Sequence, residues 1–379
     1  MNEGLIAEPS FNIIHPHREL NIVASPGLRL GWEISDAKTG RVEQKGSQEG
    51  RSFTKQFLQL LYAMMSMENE TLKHDDGSSY AMNWNSYGQY VMRYYSMDIG
   101  SSAQAVNFAD YNLISPIGNG TDSGQMVYGT INHTAPNYDE SRVWNRETRS
   151  FTNNSGANVT INELGHRVYS SAYSSGYKSV LIMRDVTGGI VVPNTKVITF
   201  NYDMESQKGT GWTFLQEFFT QLYNYLRYTG SDEYYPTLRV LTPPYGYFAP
   251  CVSSPSHQSR VNYNPLSGIE LGTLSSAIEV TQTTTGGLIA HGKGEGQLES
   301  YGTFVESPTY DATSGQFDIV KHFKNSSGAS INVYQVGLRC LYSYSTTDNK
   351  LIFCKLLSSP FVIPDGSYAE VRITMKVAV

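Results

Sequence analysis

FTNNSGANVTINELG, residues Phe151 to Gly165, recurs as FKNSSGASINVYQVG, residues Phe323 to Gly337. Six of the fifteen positions are identical, and both ends share one offset in sequence number, 323 − 151 = 337 − 165 = 172. Val159/Ile331, Ile161/Val333 and Leu164/Val336 exchange one apolar residue for another. The same offset joins Gly100 to Gly272 and Gly124-Gln125 to Gly296-Gln297. Downstream, Arg184/Lys355 and Pro193/Pro364 repeat at 171, so one residue is lost in the hairpin between. Upstream, Phe57 in QFLQLLYAM and Phe218 in EFFTQLYNYL lie 161 apart, which places extra residues in the second copy between Phe218 and Gly272. Solenoid and propeller repeats run at roughly 20–50 residues; this one is the size of a domain. The chain therefore reads as an arm over residues 1–26, a first module over 27–205 and a second over 206–379.

Within the repeat, Val159, Ile161 and Leu164 alternate with Thr160 and Asn162 behind an Asn-Ser-Gly turn, the pattern of a half-buried strand. Val371, Ile373 and Met375 alternate in the same way with Arg372 and Thr374. One helix per module breaks the strand pattern. Phe53, Phe57, Leu60, Leu61 and Met64 form an apolar stripe at helical spacing, and Phe214, Phe218, Leu222 and Tyr225 form another. Thr213 and Gln216 stand at capping-box spacing. Many short strands with frequent turn signals predict a mainly β protein. Its expected form is two tandem antiparallel β-sandwiches, jelly-roll-like, each with one amphipathic helix packed on a sheet.

Composition narrows the function classes. The chain has 379 residues, 27 of them Tyr and 34 Gly, with 16% charged residues and a net charge of −6. Charge is low beside the usual ~25%, and β-branched, aromatic and turn-forming residues take its place. No Lys/Arg cluster faces a phosphate backbone, so nucleic acid is not an expected partner. No apolar run reaches the ~20 residues of a membrane span, and the first residues lack the basic start and apolar core of a signal peptide. Cys251, Cys340 and Cys354 are an odd set without metal-ligand spacing and read as reduced thiols made in a cytoplasm.

Few segments carry chemistry. His15-Pro16-His17 has the spacing of a strand-borne zinc pair but lacks a third ligand, so no metal or cofactor is expected. His74-Asp75-Asp76 closes a polar run and reads as a solvated loop. GNGTDSG (118–124) and HGKGEG (291–296) resemble phosphate loops but miss the Gly-Lys-Ser/Thr ending, and they align within the repeat. A shared tight turn accounts for both. No nucleophile elbow, zinc-protease helix motif or paired-carboxylate segment is present, so no catalytic residue is expected. The best surface candidates are the aromatic-rich stretches holding Trp84, Tyr87 and Tyr94 and holding Tyr245, Tyr247 and Phe248. Aromatic residues at this density stack on sugars or anchor protein interfaces.

Ser52, Asp110-Tyr111-Asn112-Leu113, Gly120, Gln125, the 151–165 segment, Arg184-Asp185, Pro193 and Tyr202 together carry a resemblance. In that order they look like structural proteins of tailed-bacteriophage virions; the second module lacks the Asp-Tyr and Arg-Asp pairs. The resemblance implies a particle component with no known activity, in head shell, neck, tail or fibre attachment. Its implied partners are further copies of itself and other virion proteins, and its implied location is the virion, after synthesis in the bacterial cytoplasm. An arm containing Pro9, Pro16, Pro26 and the apolar Phe11 to Ile14 suits docking on a neighbouring subunit. The alternative reading is a carbohydrate-binding adhesion module using the Tyr and Trp surfaces.

Overall fold

The computed structural model describes residues 17–50, 52–66, 68, 70–82, 92–172, 176–207, 212–216, 218–220, 222, 249–250, 268–279, 281–341 and 349–379. The protein is mainly β, arranged in several sheets. In the first half, one sheet runs β3 (Val42–Gly50), β2 (Gly27–Asp36), β13 (Lys196–Gln207), β10 (Arg142–Thr152), β7 (Val127–Tyr128). The short β8 (Asn132–His133) and β9 (Asn137–Tyr138) also pair with β10. Facing it is a sheet of β12 (Gly176–Val192), β11 (Val159–Ala172) and β6 (Met92–Gly100). A small hairpin, β4 (Glu70–Lys73) with β5 (Ser79–Met82), stands apart.

In the second half, one sheet is built on β17 (Glu299–Val305), β19 (Ser314–Lys324) and β22 (Tyr368–Ala378), with β18 (Thr309–Tyr310) paired to β19. Its companion holds β14 (Trp212–Phe214), β21 (Asn349–Ile363), β20 (Ile331–Leu341), β15 (Ala249–Pro250) and β16 (Gly268–Gly272). The strand alternation read from the sequence is present: Val159, Ile161 and Leu164 are buried while Thr160 is exposed. Val371, Ile373 and Met375 likewise point into the core.

The two halves make the same local bonds at the offset read from the sequence. Asn153 is buried, and its amide donates to the carbonyls of Ala157 and Val192, each at 2.8 Å. Asn325 is buried too, and donates to Ala329 at 2.8 Å and to Ile363 at 2.7 Å. Each amide oxygen accepts the hydroxyl of a nearby serine, Ser155 or Ser327. The glycine loops match as well: Gly124 and Gly296 have φ of 78° and 69°, in the left-handed region that favours glycine. Asp122 N donates to Gln125 Oε1 just as Gly294 N donates to Gln297 Oε1. Phe53 bridges to Met183 and stacks on Phe57 at 4.3 Å; Phe214 pairs with Phe353 and meets Phe218 at 4.4 Å.

Three elements depart from expectation. Residues 17–24, read as part of an arm for a neighbour, form β1 (His17–Ala24), which pairs parallel with β22 of the same chain, Ile22 opposite Ile373. It extends the second-half sheet at the edge of β22, and Ser25 and Pro26 alone separate it from β2 in the other half. The helix α1 (Lys55–Ser66) starts after Phe53 and is buried on nearly every side, not on one stripe. Its second face meets the other half: Tyr62 lies edge-on to Phe317 at 5.6 Å, and Lys55 Nζ sits 4.1 Å above the Tyr310 ring. Gly315 permits the approach, since a Cβ there would stand 2.8 Å from Leu58 Cδ2. Thr213 lies in β14 opposite Cys354, so it serves a strand rather than the expected cap. The second helical turn begins at Gln216, with Phe218, Phe219 and Leu222 buried; Tyr225 lies outside the described residues.

Candidate functional site

Alternation along β10 sends Val143, Asn145, Glu147, Arg149 and Phe151 to the inner face of the first half. That places an amide, a carboxylate and a guanidinium among apolar neighbours. Glu147 lies opposite His133 of β8 and Tyr202 of β13. His133 Nδ1 stands 3.3 Å from Glu147 Oε1, and His166 Nε2, from the facing sheet, contacts Glu147 Oε2. Burial pushes the Glu147 carboxyl up, but the His166 charge and the His133 hydrogen bond outweigh it and hold the group below the ordinary glutamate range. Beside it the Tyr202 hydroxyl donates to Asp185 Oδ2, and the Tyr202 ring stacks on His166 with centroids 6.2 Å apart. Burial first, then the Asp185 charge, hold the Tyr202 phenol well above its usual range. Arg149 closes the group, donating Nη1 to Met97 O and Nε to Gly129 O, each at 2.8 Å.

A second buried network lies on the outer side of β11 and β12. Arg184, with no exposed surface, donates to Glu163 at 2.8 Å, to Asp110 at 2.9 Å and to the carbonyls of Gln104 and Ala105. Glu163 also accepts the backbone N–H groups of Ile114 and Ser115. Arg167 reaches Asp98 at 2.9 Å and Asn112, whose amide donates to Asp75 O. These bonds staple the 101–117 segment across the sheet. The second half keeps the device with a neutral amide: Gln335 Oε1 accepts Gly286 N at 2.7 Å, and its Nε2 donates to Ser276 O. Arg339 holds Glu270 at 2.8 Å, as Arg167 holds Asp98.

Some of the residues that carried the resemblance fall in these two networks. Asp110, Asn112, Glu163 and Arg184 join the stapling network, and Asp185 bonds Tyr202 in the core.

Of the aromatic candidates, Trp84, Tyr87, Tyr245, Tyr247 and Phe248 lie outside the described residues, and Tyr94 is placed on β6. His15 is outside them as well; His17 begins β1, 3.4 Å from Glu19. His74, expected in a solvated loop, is buried with Nδ1 3.2 Å from Ser78 Oγ, because the turn after β4 folds back over it. Cys354 is a free buried thiol, and burial pushes its pKa up to about 12, which removes the thiolate needed for reactivity. Cys340 sits opposite Lys350, well along the ladder from Cys354, whose own partner is Gly337.

Sequence reasoning misses the His133, Glu147 and His166 set. Its members come from three different strands and share no motif spacing. One signal is present: Asn145, Glu147 and Arg149 interrupt the apolar alternation between Val143 and Phe151. Among the described residues no group of three His, Cys, Asp or Glu side chains is arranged to hold a metal ion, and no helix is long and apolar enough to cross a membrane. No family model matches the chain, and neither does any curated protein or any solved structure.

Proposed function

We propose that this chain is a non-enzymatic structural protein of a bacteriophage virion, made of two tandem copies of one jelly-roll-like β-sandwich module and acting through homo-oligomeric assembly with other virion proteins. The observation that carries the reading is the repeated bond set. The Asn153 and Asn325 plugs, the two Gln-filled glycine turns and the two Arg-acid pairs recur from one half to the other. A duplicated module doubles the surfaces one chain presents. A ring of n such chains offers 2n similar faces to a neighbour of different symmetry. The resemblance points the same way, and four of its residues, Asp110, Asn112, Glu163 and Arg184, bind the covering segment to the sheet.

Assembly is directly measurable. Light scattering of the purified chain is expected to return a multiple of 42.2 kDa, and negative-stain images to show a ring or shell of defined symmetry. A strict monomer that never associates with purified particles overturns the proposal.

A further inference from the structure

Tyr128 fills a hole in the first half. It lies opposite Phe151 in the ladder, and its hydroxyl donates to Ile117 O at 2.6 Å. The charges beside it balance. Arg149 stands 3.5 Å and Arg167 2.9 Å from Asp98, and Arg167 lies 3.6 Å from Asp75 as well. Two guanidiniums therefore meet two carboxylates.

The repeat matches Ser300 to Tyr128, Lys321 to Arg149, Glu270 to Asp98 and Arg339 to Arg167. Ser300 and Lys321 are smaller than their counterparts, and a cavity of about 60 Å³ lined by all four residues results. Lys321 is buried in β19, and its ammonium already has a partner within the protein. Glu270 is occupied at both oxygens: Oε1 accepts Thr285 N at 2.6 Å and Oε2 accepts Arg339 Nε at 2.8 Å. At the exposed rim His291 Nδ1 accepts Ser300 N at 3.0 Å, so the neutral imidazole carries its proton on Nε2 as a donor. Among the described residues the wall thus holds two cations, Lys321 and Arg339, and one carboxylate. Excess charge is costly in a medium poorer than water, and an anion in the cavity offsets it.

We propose that the second half binds one carboxylate group in this cavity. Its charge is held between the Lys321 ammonium and the Arg339 guanidinium, and His291 Nε2 donates to it from the rim. Size limits the guest: a cavity of ~150 Å³ takes a benzene ring, so the smaller volume here takes the carbon and two oxygens of a carboxylate. Anything attached to that group leaves through the mouth, where Leu288 and His291 are exposed. Hydrogen bonds to an ionised acceptor are the strong ones, which suits a guest of so few atoms. The carboxylate can come from a small free acid or from an acidic side chain of a protein segment.

The inference rests on the charges and space around Ser300 and not on a virion role. A monomeric protein that holds formate here would overturn the assembly reading and leave this one standing. The test is a titration of isotope-labelled formate with the full chain, followed by NMR line width. Ionic strength is held constant with sodium methanesulfonate, whose head group is too large for the cavity. Saturable broadening at one site per chain supports the proposal, and no saturable broadening overturns it. Lys321→Met keeps the length of the side chain and removes its charge, and is expected to weaken formate binding about tenfold. Unchanged binding by that variant would place the anion elsewhere and overturn the site. Displacement of formate by N-acetyl-aspartate amide supports an acidic side chain as guest, and failure to displace it supports a small free acid. Should Lys321→Met fail to fold, a crystal of the native chain soaked in formate either shows the anion between Lys321 and Arg339 or refutes it.

Discussion

Around Glu147 the interiors of the two halves differ in kind. His133, Asn145, Glu147, His166 and Tyr202 are matched across the repeat by Val305, Phe317, Ile319, Leu338 and Ile373. The fold is therefore built equally well on an apolar core, and the Glu147–His166 pair is not what makes the sandwich possible. Breaking one member of a buried ion pair costs ~3–5 kcal/mol, because the other charge is left unanswered, while replacing both by apolar residues is often neutral. Glu147→Ile is thus expected to destabilise strongly, and Glu147→Ile with His166→Leu to recover most of the loss, as read by urea melts. Acid provides the second readout. Because the folded Glu147 value is lowered, its contribution is complete above the ordinary glutamate value of 4.5 and is lost as pH falls through the lowered one. The melting temperature of the native protein should drop below that pH, and the double variant should drop less. The charged residues inside β10 were visible as breaks in an apolar alternation. Their partners were not, because partnership across facing sheets depends on register.

At the scale of elements, β1 and α1 gain their roles from the half to which they do not belong in sequence. β13 receives β2 as its antiparallel neighbour, whereas β22 receives β1 in parallel. A parallel partner needs no hairpin, so a strand from the far end of the chain can fill that edge. Uncovered, β22 would present a row of free backbone groups, the usual template for unwanted pairing. Removal of residues 1–24 is expected to cause association beyond that of the full chain in light scattering and to strip hydrogen-exchange protection from the alternate amides of 368–375 that face β1, while those facing β19 stay protected. A truncated chain of the same size in solution as the full chain, with those amides still protected, would show that β1 is dispensable. The apolar stripe of α1 was legible from its spacing. Burial of the remaining faces was not, since Tyr62 meets Phe317 from the other half.

For the whole molecule, α1 and β1 tie the halves into one hydrophobic cluster that includes Phe57, Phe151, Phe317 and Ile373. A shared core predicts cooperative unfolding, so calorimetry should record a single transition for the native chain. Tyr62→Asp buries a charge against Phe317 and is expected to split that transition in two. Two transitions in the unmodified protein would mean that the halves fold independently. Local patterns determined the mainly β character before any contact was known: strand alternation and the glycine and asparagine turns depend on residues close in sequence. The tertiary structure alone decided where β1 pairs, what covers α1, which charges meet around Glu147 and where Ser300 leaves space. Each of these depends on which distant residues a sheet register brings face to face, and a linear pattern carries no record of register between strands that turns do not join.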